Sequence, residues 1–380
     1  MLVTAARIHN GKNWLPQGSV LEVTKDGTIT GIMNNAGNED VKHYDGIICP
    51  GFVNVHCHLE LSHMKGAIPE HTGLIPFLKQ VAFTRNNHTE EEKTLARHEA
   101  FRAMLDNGIV AVGDIANTSD TLDLRTTGKM LFHSFVEAIG FSEQPQKQFE
   151  YAVTTYETFA AAGDGQQQSI VPHAPYSVSK QLFQLINDFD ATSIISIHNQ
   201  ESLAEDEYYA YKKGDVTDLL QTIGINDDFF QPSGKSSLQT YLPSFASSHP
   251  MIFVHNTYTT ATDIEYAKAH NSNAHWCLCP NANLYIENTL PDVNMLMQHT
   301  ADICIGTDSL SSNHRLSVLA ELHTIKNNFP SIDWGVLLSW ATYNGAKALQ
   351  MDRQLGCIEA GKKPGLVLLD NQFDIQAVLA

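Results

Sequence analysis

Basic residues are scarce in this chain. Its 380 residues hold 24 Lys and Arg against 42 Asp and Glu, a formal net charge of −18. A phosphate-backbone partner needs a basic face, so this balance argues against nucleic acid, and the acidity is read as solubility. Long hydrophobic runs are missing. No stretch approaches the roughly 18 apolar residues of a membrane span, and the opening Leu2-Val3-Thr4-Ala5 does not read as a secretory leader. Cysteine is sparse and irregularly spaced, at Cys49, Cys57, Cys277, Cys279, Cys304 and Cys357. Most of these sit in apolar runs, where a free thiol behaves as a small buried hydrophobe. A reducing, cytoplasmic location is expected, with no membrane partner. Cys277-Leu278-Cys279 lacks the second pair that a zinc ribbon needs. Internal repeats and low-complexity tracts are absent as well.

What the chain does have is a series of short apolar runs that end in metal-type or acid–base residues. Gly51-Phe52-Val53-Asn54-Val55 leads into His56-Cys57-His58. Alternate side chains of a strand share a face, so His56 and His58 point the same way and can bind one cation together. Ser169-Ile170-Val171-Pro172 leads into His173, and Ser193-Ile194-Ile195-Ser196-Ile197 into His198, with Glu201 three residues on. Met251-Ile252-Phe253-Val254 ends at His255, and Asp302-Ile303-Cys304-Ile305-Gly306-Thr307 at Asp308. Helix-like segments lie between these runs. The pattern predicts an α/β chain built as a (β/α)8 TIM barrel, whose active site gathers residues from the C-terminal ends of its strands.

Strands are expected near 50–56, 108–115, 131–137, 168–173, 193–198, 250–255, 272–279 and 301–307. Helices are expected over about 89–106, 144–162, 178–190, 259–270, 316–327 and 332–350. Before the barrel come three short apolar runs punctuated by Asn10-Gly11 and Asp26-Gly27, a hairpin signal because both turn positions need φ > 0. Gly365 to Asp370 reads as another strand. Residues 1–48 and 351–380 are therefore expected to form one small β-sandwich domain flanking a barrel of residues 49–350. The segment from Gly73 to Asn87 is long enough to cover a pocket mouth, either as a closing loop or as a helix packed on the barrel wall.

Taken in order, these motifs resemble the amidohydrolase superfamily, in its branch of aminohydrolases acting on nucleobases and nucleosides. The resemblance runs nearly end to end. It rests on Pro50-Gly51-Phe52-Val53-Asn54-Val55-His56-Cys57-His58, Pro172-His173-Ala174-Pro175-Tyr176-Ser177 and His198-Asn199-Gln200-Glu201. Cys279-Pro280-Asn281-Ala282-Asn283, Gly306-Thr307-Asp308-Ser309, Ala341 to Leu349 and Gly356 to Lys362 carry it further. Gly365 departs from the family, which usually has Asp in this closing strand. The Leu59-Glu60-Leu61-Ser62 run is similar to aminodeoxyfutalosine deaminases.

The resemblance implies a metal site of His56, His58, His198 and Asp308, the donor set of a catalytic metal that keeps an open water position. The ion lowers the pKa of bound water toward about 7. Two-metal relatives bridge their ions with a modified lysine ending the fourth strand. Here that strand ends Val171-Pro172-His173, so one divalent ion is expected, Zn2+ or alternatively Fe2+. The His198-x-x-Glu201 spacing matches the family's proton shuttle, which gives a proton to a ring nitrogen as hydroxide adds beside it. His255 is expected to hydrogen-bond the attacking water, the alternatives being a further ligand or a histidine of the barrel wall. With Glu201 and Asp308 it would manage the protons. His173 is read as a substrate contact or as a structural residue between two prolines. Glu60 would accept hydrogen bonds from ribose hydroxyls or else stabilise its loop.

The function expected is metal-dependent hydrolytic deamination of an aminopurine or adenine-type nucleoside, of the aminodeoxyfutalosine, S-adenosylhomocysteine, methylthioadenosine or adenosine class. Hydrolysis at another heterocycle is the alternative enzyme, whether free-base deamination, dechlorination or cyclic-amide ring opening. A non-catalytic metal-binding scaffold is the alternative of another class, and it would not need both Glu201 and Asp308. The partner expected is a small-molecule substrate, with a homodimer left open.

Overall fold

The computed structural model describes residues 1–34 and 40–379. Its strands are β1 (Leu2–Ile8), β2 (Val20–Val23), β3 (Ile29–Met33), β4 (Val41–Pro50), β5 (Phe52–Cys57), β6 (Ile109–Ala116) and β7 (Leu131–Ala138). They continue with β8 (Gln167–Pro172), β9 (Ile195–Asn199), β10 (Met251–His255), β11 (Ala274–Leu278), β12 (Ile303–Ile305), β13 (Leu366–Leu369) and β14 (Ile375–Val378).

Strands β5 to β8 pair in sequence order as one parallel sheet, and β9 to β12 as another. Each parallel step needs a crossover, which the intervening helices supply. Every residue of β5, β9, β10, β11 and β12 is buried. That is why these segments read as near-continuous apolar runs, the signature of strands covered on both faces. The two sheets meet at two seams. At one, the His198 N–H donates to the His173 carbonyl at 3.0 Å; at the other, the N–H groups of Thr307 and Asp308 both donate to the His56 carbonyl, at 2.9 and 3.1 Å. Both seams therefore lie at strand ends that carry histidines.

The chain ends come together in a third sheet, ordered β14-β13-β4-β1-β2-β3. All six strands register in that one sheet, where two facing sheets of a sandwich were expected. The reason is β4, a ten-residue strand that pairs with β1 on one side and β13 on the other. It escapes the sequence pattern because its first half is largely exposed and its second half is entirely buried. Gly27 makes the turn between β2 and β3 at φ +88°, as Asp26-Gly27 signalled.

The segment after β5 is a helix, Leu74–Thr84, and not an irregular loop. Leu74, Phe77, Leu78 and Val81 recur at the i, i+3, i+4, i+7 spacing of one helical face. All six cysteines are free and buried. Among the described residues, no helix is long and apolar enough to cross a membrane.

Candidate active site

Four of the strand-end residues converge. The Nε2 atom of His58 lies 3.2 Å from that of His56 and 3.3 Å from that of His198. Asp308 Oδ1 lies 3.3 Å from His58 Nε2 and 3.6 Å from His56 Nε2. A tetrahedral ion with bonds of about 2.1 Å has donor–donor edges of about 3.4 Å, so the spacing suits a zinc-sized ion. The protonation pattern agrees. His198 Nδ1 sits 2.7 Å from the His173 carbonyl oxygen, which can only accept, so the proton is on Nδ1 and Nε2 presents its lone pair. Burial holds His58 and His198 well below the ordinary imidazole pKa, so both are neutral. Burial opposes the charge of Asp308, but the neighbouring His56, His58 and His255 imidazoles hold its carboxyl well below the usual carboxylate range. Three ring nitrogens and a carboxylate oxygen thus face one another with a surplus of lone pairs, which a divalent cation would match.

The backbone is shaped for this convergence. His255 and Asp308 both adopt left-handed conformations, at φ +73° and +57°. Such conformations cost energy in non-glycine residues and collect at functional sites. Gly306 lets β12 approach β5, since a Cβ there would lie 2.8 Å from the His56 Cβ and 2.9 Å from the Cys279 Sγ.

Around the four donors lies a cavity of about 440 Å³. His173, Glu201 and His255 line it with His58, His198 and Asp308. Burial raises the Glu201 carboxyl well above its ordinary pKa, a shift that Asp308, Glu205 and Glu287 reinforce, so it stays protonated and can donate. His255 Nε2 lies 3.6 Å from Glu201 Oε1, and burial lowers the imidazole pKa to about 4. Among the described residues His255 Nε2 makes no hydrogen bond, and it is the nitrogen that faces Glu201. His173 is anchored through Nδ1 to Ser177 Oγ at 2.7 Å, and its pKa is likewise lowered by burial to about 4.

Glu60 is placed otherwise. Its Oε1 accepts from the Thr118 N–H and hydroxyl at 2.7 and 2.8 Å, and its Oε2 from the Asn117 N–H at 3.1 Å. It does not line the cavity. Its carboxylate braces the turn after β6, so the loop-stabilising alternative describes it and the ribose contact does not.

Three polar residues of the cavity went unnoticed in the sequence. Glu137, in β7, has Oε1 at 3.6 Å from His198 Nδ1, while Oε2 accepts from Asn117 Nδ2 at 2.7 Å. Asn117 follows β6 and in turn accepts from Arg85 Nη1 at 2.9 Å. All three line the cavity. Glu137 stands near the end of an apolar strand, the signal that found His173 and His255; Arg85 follows a helix and carried no such signal. The helix Leu74–Thr84 supplies an apolar wall through Leu74, Phe77, Leu78 and Val81, completed by Leu219 and Ile223 from the segment after β9.

Parallel strands that deliver three imidazoles and a carboxylate to one cavity define the kind of site that holds a hydrolytic metal. Comparison with known proteins agrees. The amidohydrolase family model matches residues 47–380, and the chain belongs to that family. It is accordingly a hydrolase acting on carbon–nitrogen bonds, in a family that depends on metal. It is 27% identical to an adenosine deaminase of Helicobacter pylori over 327 residues, covering 85% of this chain and 78% of that protein. It is 24% identical to a 5-methylthioadenosine/S-adenosylhomocysteine deaminase of Moorella thermoacetica, over 86% of this chain and 74% of that one. The crystal structure of Helicobacter pylori aminofutalosine deaminase in complex with methylthio-coformycin superposes with a TM-score of 0.83 at 24% identity, covering 97% of this chain and 92% of the other.

Proposed function

We propose that this chain is a metal-dependent deaminase of adenine-type nucleosides, with His56, His58, His198 and Asp308 holding one divalent ion, zinc or alternatively iron. The observation that carries the reading is Glu201, a buried carboxyl group that lines the same cavity as His58, His198 and Asp308 and whose pKa burial raises. Deamination needs such a group. As water adds to the carbon bearing the amine, the adjacent ring nitrogen must gain a proton, and Glu201 is placed to give it. When bound, the ion supplies an activated water and stabilises negative charge on oxygen. Asp308, ionised, would accept a proton from the attacking water. His255, neutral, presents a ring nitrogen to orient it. His173 offers its remaining nitrogen to the substrate ring. Protons returned through Glu201 and Asp308 let the amine leave as ammonia.

Two further points support the reading. The curated relatives named above act on adenine nucleosides. The hydrogen bonds across both seams suit two sheets that are halves of one (β/α)8 barrel of residues 49–350, whose strand ends would be where such a site belongs.

The test is ammonia release by purified, metal-loaded protein from adenosine, methylthioadenosine and S-adenosylhomocysteine against adenine and guanine. A higher kcat/KM for the nucleosides is expected. A preference for the free bases would contradict the nucleoside reading.

A further inference from the structure

Among the described residues the Glu201 carboxyl has no hydrogen-bond partner, and His255 Nε2, at 3.6 Å, lies beyond reach. Its place in the cavity is therefore set by its backbone. That backbone is a strained turn. Gln200, between β9 and Glu201, lies in the left-handed region at φ +46°. Such a conformation costs energy in a residue with a side chain and persists only where the surroundings enforce it. Ser202, at the cap of the helix Leu203–Tyr211 that follows, makes no side-chain capping hydrogen bond. The usual fastening of a helix start is missing here.

Glu205 supplies the fastening instead. It is wholly buried, although it sits in the first turn of that helix. Its Oε1 accepts the Gln200 N–H at 3.0 Å, and also the Ser237 hydroxyl. Burial raises its pKa to about 8 and Asp206 adds to the rise, while the Ser237 hydroxyl and the Gln200 and Glu201 amides pull the other way. Both amides of the turn thus face this one carboxyl. The rest of Gln200 is bonded too. Its carbonyl accepts the Tyr258 N–H at 3.0 Å, and its side-chain oxygen accepts Thr259 Oγ1 at 2.8 Å. Its Nε2 donates to Asp206 Oδ2 at 3.1 Å and to Asp263 Oδ2 at 3.2 Å. Tyr258 and Thr259 follow His255, so the clamp ties the exit of β9 to that of β10. Gln200, Glu205, Asp206 and Asp263 all lie outside the lining of the cavity. They can act on a substrate only through the residues they hold.

We propose that Glu205 is the positioning residue of the proton donor: its carboxyl holds the left-handed turn at Gln200 and so fixes where Glu201 enters the cavity. This rests on the deaminase reading and adds to it the part that aims the acid.

The test is a double-variant cycle on metal-loaded protein, with ammonia release from methylthioadenosine as the assay. Glu205→Ala should lower kcat by at least about tenfold, a share of what a general acid contributes. KM and metal content should stay within about twofold of wild type, since substrate and ion are bound elsewhere. Glu205→Gln keeps an acceptor oxygen for the Gln200 N–H and should hold kcat within about threefold. In the Glu201→Gln background, Glu205→Ala should cost no further kcat, because no acid is left to aim. A merely structural loss would recur in both backgrounds. Should Glu205→Ala not fold, Glu205→Asp, which draws the carboxyl back by one carbon, completes the same cycle. Wild-type kcat in Glu205→Ala or in Glu201→Gln, or an equal kcat loss in both backgrounds, would overturn the proposal. If no nucleoside is deaminated, the deaminase reading fails. Calorimetry then decides on Glu205, through the preference for methylthio-coformycin, which carries a hydroxyl at the carbon that would be attacked, over methylthioadenosine. Loss of at least about tenfold of that preference in Glu205→Ala upholds the positioning role; an unchanged preference, or no binding by the wild type, removes it.

Discussion

At the scale of single residues, the site depends on two carboxyl groups of one cavity held in opposite states. Asp308 is held ionised by its imidazole neighbours, and Glu201 is held protonated by burial. Pairs of acids pushed apart in this way are how one pocket both accepts and donates protons near neutrality. Glu201→Gln keeps the size and removes the acidic proton. Turnover should fall by at least about 100-fold, the lower end of a general acid–base contribution, with metal content and melting temperature close to wild type. Stopped assays of ammonia release beside metal analysis check this, and near-normal turnover would take Glu201 out of the chemistry. Glu60 shows the limit of residue-level reading. Its position two residues past His58 suggested a substrate contact, but backbone N–H groups of a turn more than fifty residues away had claimed its oxygens.

At the scale of elements, β12 and β7 show how strands set the site. β12 approaches β5 only because Gly306 has no side chain. Gly306→Ala should destabilise by about 1–3 kcal/mol, as overpacking does, and should weaken metal binding by shifting Asp308 against His56. Thermal melts and metal titration would show both; an unaltered metal affinity would mean that the seam has slack. In β7, the first half carries His133, buried against Ser169 Oγ at 3.0 Å and Gln167 Oε1 at 3.2 Å, and the second half carries Glu137. Burial lowers the His133 pKa to about 3. Below about pH 6.5 the unfolded chain takes up a proton that folded His133 refuses. Its contribution to stability is therefore present above pH 6.5 and is lost as the pH falls toward 3. The slope is about 1.4 kcal/mol per pH unit. His133→Gln should flatten the acid side of the stability curve by that amount, as read from denaturant melts between pH 6.5 and 4. An unchanged slope would mean that His133 does not titrate on unfolding.

At the scale of the whole molecule, legibility followed burial pattern. The strands β5 to β12 all fall near the expected ranges, and β5, β8, β9, β10 and β12 end in or beside the polar residues that marked them, because parallel strands buried on both faces leave continuous hydrophobic stretches. His56, His58, His173, His198, Glu201, His255 and Asp308 could be found from those runs and from the family resemblance; the structure lines one cavity with six of them and sets His56 beside His58, His198 and Asp308. The helix Leu74–Thr84 carries a readable apolar period, but its place after β5 is equally that of a closing loop. β4 and β14 stayed hidden, one half exposed and the other short with every second residue exposed. Arg85, Asn117 and Glu137 come together only in three dimensions, from segments far apart in the chain.

The measurement that bears most directly on all of this is stoichiometric metal titration of the stripped protein, with ammonia release from an adenine nucleoside followed at each step. Activity should rise linearly and level off at about one divalent ion per chain, and His58→Ala should neither retain the ion nor turn over. Full activity in metal-free protein, or a plateau reached only at two ions, would contradict a single ion held by His56, His58, His198 and Asp308.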